Sequence, residues 1–65
     1  MRDQVAGQER DDYLTTVEVA RRLKVSVPTL KRWRAAGTGP PWHRVGRAVR
    51  YRTAEVDAWV EANGR

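Results

Sequence analysis

The reactive and binding groups of this chain are mainly guanidinium, ammonium and hydroxyl groups. Between Ser26 and Gly37 the segment "SVPTLKRWRAAG" places Ser26, Thr29, Lys31, Arg32 and Arg34 around one apolar pair, Leu30 and Trp33. An arginine fork presents parallel donors to a phosphate or to a guanine edge, and serine and threonine add short donors and acceptors. A second basic group, His43, Arg44, Arg47 and Arg50, follows in "HRVGRAVRYR", and a third, Arg21, Arg22 and Lys24, precedes both. The parts for catalysis are not assembled. His43 is the only imidazole, and in a basic stretch it reads as a surface or phosphate-contacting residue; cysteine is absent. A metal site needs several clustered ligands, and Gly37, Gly39 and Gly46 belong to a helix stop and turns rather than to a phosphate loop. The expectation is a non-enzyme that needs no cofactor.

The distribution of charge says more than its total. The formal net charge is +5 over 65 residues, yet the window from Val19 to Ala54 holds ten Lys or Arg (Arg21, Arg22, Lys24, Lys31, Arg32, Arg34, Arg44, Arg47, Arg50, Arg52) and no Asp or Glu. A surface kept merely soluble intersperses the signs, whereas a long block of one sign repels itself and points to a polyanion as partner. At 7.5 kDa the chain supports one small domain. Without cysteine, neither a disulfide nor a thiolate zinc site stabilises it, so folding rests on an apolar cluster. No run approaches a membrane span, and "MRDQVAGQERDD" lacks the apolar stretch of a secretory signal, which makes the cytoplasm, close to the nucleoid, the expected location.

The elements that must position these groups are legible from caps and periodicity. Residues 1–12 are polar and aperiodic, an expected disordered tail, with the ordered domain spanning 13–63. In "TTVEVARRLKV" Thr15 and Glu18 form a capping-box pair, and Thr16, Val19, Ala20 and Leu23 recur at i, i+3, i+4 and i+7. That pattern gives a first helix over about 16–24. Ser26 as N-cap, Pro28 in the first turn and Gly37 as stop give a second over about 27–36. The short turn at Lys24, Val25 and Ser26 makes the pair a helix-turn-helix. "AVRYR" alternates as a half-buried strand should, with Val49 and Tyr51 inward and Arg50 and Arg52 outward. With the turn at Val45, Gly46 and Arg47 it forms a two-stranded ribbon over about 42–52. Thr53 is expected to cap a last helix with a Val56, Trp59, Val60 stripe, stopped by Asn63 and Gly64. The fold class is mostly α with a small β-hairpin.

Residues spaced at about 100° around the second helix put Val27, Leu30 and Trp33 on one side and Arg32, Pro28 and Ala35 opposite, with Thr29 and Lys31 flanking. A helix fits the DNA major groove and enters it N-terminal end first. Arg32 then faces a guanine; Thr29 reaches a base or a thymine methyl, and Lys31 a phosphate. Ser26 serves as a cap alone or adds a phosphate contact, and Pro28 brings only steric readout. Arg34, roughly 40° from Leu30, either snorkels along the core edge, caps the helix end or touches DNA. Arg47 at the ribbon tip, with His43, Arg44 and Arg50 beside it, reaches the minor groove or its phosphates. Arg21, Arg22 and Lys24 are backbone candidates. Trp33, Trp59, Tyr51 and Tyr13 read as core, and Trp42 as core or a sugar contact.

From Tyr13 to Val60 the order of "YLTTVEVARRL", "VSVPTLKRW", "G…PP…RVGR…RYR" and "EVDAWV" resembles the small winged helix-turn-helix proteins of the excisionase family, related to MerR-type DNA-binding domains. The resemblance implies a recombination directionality factor that binds direct repeats in an attachment site, often cooperatively. Such a factor bends double-stranded DNA and biases an integrase partner toward excision. By position it carries over Thr29, Lys31 and Arg32 of the recognition helix and Arg47 of the wing. Pro28 departs from relatives with a polar side chain there. A small transcriptional regulator shares the domain; a chain ending at Arg65 without a long dimerisation helix favours the excisionase. A basic protein-interaction module is the third reading, and RNA is disfavoured because no sheet face displays stacking aromatics.

Overall fold

The computed structural model describes residues 12–64. Thr15 starts the first helix as the capping box requires: its hydroxyl accepts from the Glu18 amide at 3.1 Å, and the Glu18 carboxylate accepts from the Thr15 amide at 2.8 Å. The resulting helix, α1 (Thr16–Leu23), buries Val19 and Ala20. Its end is a Schellman motif, with Val25 N–H donating to the Ala20 carbonyl at 3.0 Å and Lys24 N–H to that of Arg21 at 3.3 Å. The residue that turns there is a lysine: Lys24 adopts φ 60° and is the non-glycine with positive φ among the described residues. Its left-handed backbone costs about 1–2 kcal/mol relative to a helical one. Val25 packs against the core beside it and fixes the turn.

Ser26 then caps the second helix, α2 (Val27–Ala36), by accepting from the Thr29 amide at 3.1 Å. Pro28 sits in the first turn as expected, and the same Schellman pattern closes the helix through Gly37 and Thr38. Only residues 24–26 separate α1 from α2, which gives the helix-turn-helix.

The ribbon that follows consists of β2 (His43–Val45) and β3 (Ala48–Arg52), paired antiparallel with His43 opposite Arg50, Arg44 opposite Val49 and Val45 opposite Ala48. The two-residue turn Gly46–Arg47 has positive φ only at Gly46 (63°), the signature of a type II′ hairpin turn. The sheet has a third strand that the sequence pattern did not reveal. A two-residue β1 (Tyr13–Leu14) pairs with the other edge of β3, giving the order β1-β3-β2.

β3 runs directly into α3 (Thr53–Asn63). Thr53 does not cap this helix; the N-cap is Arg52, without a side-chain cap bond. With no linker after the strand, Thr53 is already helical. Its amide and hydroxyl both donate to the Asp12 carbonyl, at 2.9 and 2.8 Å. Asp12 is thereby anchored, unlike the tail expected to include it; residues 1–11 of that tail lie outside the described residues.

Val19, Ala20, Leu30, Tyr51 and Val56 form the buried core, so every helix and the central strand contribute. Leu14, Leu23, Val25, Val27, Trp33, Trp42 and Val49 pack around them, and Trp33 meets Trp59 at 5.6 Å in a tilted pair. Three expected core members lie outside the cluster. Tyr13 is 48% exposed because its strand is a sheet edge, and its ring lies beside the Arg52 guanidinium instead. Val60 is 36% exposed and Trp59, half-buried, reaches the cluster only through Trp33, since α3 turns Val56 alone into the core. The architecture is the mostly helical winged helix-turn-helix anticipated from the pattern.

Gly39 (φ 83°) lets the chain pass over Trp33, and a Cβ there would lie 2.8 Å from the indole Cε3. Gly39→Ala should therefore lower stability by about 2–4 kcal/mol, combining a left-handed backbone with overpacking. Lys24→Gly should move the other way by about 0.5–1 kcal/mol, the relief at φ 60° less the added freedom of the unfolded chain. Urea unfolding midpoints would measure both, and an unchanged midpoint for Gly39→Ala would refute the packing assignment.

Candidate nucleic-acid interface

The outer face of α2 is built by its own capping chemistry. Ser26 Oγ lies 2.9 Å from Thr29 Oγ1, and Arg32 Nη2 donates to that same Thr29 Oγ1 at 3.1 Å. Positions 26, 29 and 32 lie three apart and so stack along one side of the helix. Arg32, expected opposite the apolar side, is exposed, as are Ser26 and Lys31, and Thr29 on the flank is half-buried. Pro28 shares that exposed surface.

Arg34 is turned the other way. Its Nη1 donates to the Tyr51 hydroxyl at 2.9 Å and to Thr16 Oγ1 at 3.3 Å, joining α2 to β3 and to the start of α1. Of the roles open to it in the sequence, the structure shows the one along the core edge. Its guanidinium also lies 5.9 Å from the centre of the Trp42 ring, and that of Arg44 lies 5.8 Å from the same ring. Trp42, half-buried, therefore links α2 to the first strand of the wing.

In the wing Arg44 and Arg47 are exposed, with Arg47 in the turn itself. Arg50 is half-buried and donates through Nη1 to the carbonyl of Val49 at 2.8 Å. His43 Nε2 faces Glu55 Oε1 at 2.7 Å, tying β2 to the first turn of α3. Glu55 thus does more than solvate a helix face, as its side chain braces the wing. Arg21 and Arg22 on α1 and Lys24 in the turn after it are exposed, and Arg22 approaches Asp57 of α3 at 3.7 Å.

Sequence reasoning missed the Tyr51–Arg34–Thr16 bridge and the His43–Glu55 pair. The partners lie 12 to 18 positions apart, and only folding brings them together. The one sequence signal was the angular position of Arg34 near Leu30. Among the described residues there is no group of three or more potential metal ligands, and no helix is long and apolar enough to cross a membrane.

A second helix with a hydroxyl and guanidinium face, a short turn before it and an arginine-tipped wing are thus present in one domain. A family model for the helix-turn-helix domain matches residues 13–64. The chain belongs to that family. Among curated proteins none matches it significantly. As a helix-turn-helix domain it is a sequence-specific binder of double-stranded DNA, and such domains are typically non-enzymatic. In this helix-turn-helix protein α2 is the second helix of the motif, and the second helix is the one that lies in the major groove in well-known helix-turn-helix complexes.

The bridge at Arg34 can be tested by a double-mutant cycle. Arg34→Met should cost about 2–3 kcal/mol because it leaves the Tyr51 hydroxyl buried and unpaired, and Tyr51→Phe about 1 kcal/mol. The double variant should lose less than the sum by at least about 0.5 kcal/mol. Strictly additive losses in chemical denaturation would show that the bond contributes nothing.

Proposed function

We propose that this protein is an excisionase. In this reading it binds repeated sites within an attachment site, bends the duplex and directs a partner integrase toward excision, with copies associating cooperatively on DNA. The observation that carries its DNA-reading part is the exposed Ser26–Thr29–Arg32 face of α2, joined through Arg34, Trp42 and Arg44 to the base of a wing tipped by Arg47. The excision role is supported by the ordered resemblance running from Tyr13 to Val60.

Residues 13–63 act as the DNA-binding unit. Arg32 reads a guanine in the major groove, and Lys31 and the Ser26 hydroxyl contact phosphate. Arg44 and Arg47 engage the neighbouring backbone and minor groove, where a narrow groove concentrates negative potential. Arg21 and Lys24 meet the backbone from α1 and the turn, with Arg22 beside them at the edge shared with α3. Arg34, His43 and Arg50 complete the basic surface, Arg34 bracing α2 and His43 the wing as well.

Gel-shift titration of labelled duplexes tiled across the protein's genomic neighbourhood, at two salt concentrations with competitor DNA, tests the reading. Laddered, cooperative occupancy of repeats beside an integrase gene is the expected result. A single occupied operator overlapping a promoter would make it a transcriptional regulator, and no preference among duplexes would leave a basic module for a protein partner. With about three to five phosphates neutralised, log affinity should fall with log salt at a slope near 0.9 per contact. Arg32→Ala should cost about 1–3 kcal/mol on the cognate site and blur preference, while Arg47→Ala should weaken all sequences alike.

A further inference from the structure

The hydroxyl of Thr29 stands between the helix cap and the arginine that reads the groove. It receives a hydrogen bond from Arg32 Nη2 at 3.1 Å and shares one with Ser26 Oγ at 2.9 Å, while Ser26 Oγ accepts from the Thr29 amide at 3.1 Å. A threonine hydroxyl has one proton and two lone pairs, so these contacts occupy most of its capacity. Little of it is left for a base edge.

We propose that Thr29 is a positioning residue for Arg32, and that it sets base preference at the pair Arg32 reads rather than reading a base of its own. This deepens the excisionase reading and rests on its assignment of α2 to the major groove. Arginine is a long side chain whose freedom must be lost when it docks, at a cost that a prior hydrogen bond lowers. Held by one Nη2 proton, the Arg32 fork keeps its other Nη2 proton and both Nη1 protons. Those are the donors an end-on pairing with guanine O6 and N7 uses. Ser26 completes the device, because the oxygen that caps α2 also borders Thr29. The hold on Arg32 is therefore referred to the helix backbone at its first turn.

The two roles for Thr29 separate by substitution. Thr29→Val keeps the methyl group and shape but removes the oxygen, whereas Thr29→Ser keeps the oxygen and removes the methyl. Neither removes the Thr29 amide that donates to Ser26, so the cap of α2 survives. The probe is the labelled duplex found by tiling, with every base pair replaced in turn and each thymine also exchanged for uracil. Affinities are measured with the full chain, and thermal melts confirm folding.

Arg32→Ala should flatten preference at one base pair. Thr29→Val should reduce discrimination at that same pair about three- to tenfold, Thr29→Ser should retain it, and Thr29→Val should add nothing once Arg32 is alanine. Should valine perturb α2, Thr29→Ala gives the same readout without added bulk. Loss of preference at a different pair, or loss of thymine-over-uracil discrimination in Thr29→Ser, would overturn the proposal in favour of direct contact. Unchanged preference in Thr29→Val would also overturn it. If Arg32→Ala alters no preference anywhere, the recognition-helix assignment itself is wrong and this proposal falls with it.

Discussion

The phenol of Tyr51 is 1% exposed, the largest fully buried side chain of the domain, and its hydroxyl is satisfied by the guanidinium of Arg34 at 2.9 Å. A buried hydroxyl without a partner costs on the order of 1–3 kcal/mol, a large share of the stability available to so small a domain. The same nitrogen reaches Thr16 in the first turn of α1, so one charged group serves α1, α2 and β3 together. Both helices of the DNA-reading motif and the long strand of the wing depend on it.

That dependence divides the basic residues into two populations. Arg34 faces inward, and His43 is held by Glu55. Arg32, Lys31, Arg44 and Arg47 project outward from the elements so fixed. The Trp42 ring stands between the populations, with an inward arginine on one helix and an exposed one on the wing both within 6 Å of its centre. The uniform positive block seen in the sequence is thus partly a fastening and partly a surface. The net charge alone does not separate the two uses.

What the sequence revealed and what it hid follow from the range of the interactions. The capping box at Thr15 and Glu18, the Ser26 cap, the stop at Gly37 and the Gly46 turn are settled within a few residues and were legible, although Val45, expected in the turn, pairs with Ala48 as the last residue of β2. Strand β1 was not, because two residues cannot display an alternation and its pairing partner lies some forty positions away. Thr53 failed as a cap for a related reason: its spacing looked right, but the strand leads straight into the helix and its hydroxyl turns to Asp12. Tyr13 was assigned to the core as a large aromatic and Val60 by its place on the apolar stripe of α3, whereas an edge strand and a narrower buried face leave both in contact with water. On α2 the face of each residue was readable, but the bond from Arg32 to Thr29 required coordinates.

The sheet has one further consequence. Its two outer strands are two and three residues long, one bordered by the Tyr13 ring and the Arg52 guanidinium and the other by Arg44 and the arginine-bearing turn. Edges this short and this charged offer little backbone for a foreign strand to continue. Were copies of the domain crowded along a polyanion, their strand edges would offer little to join, and the β-structure of each would stay its own.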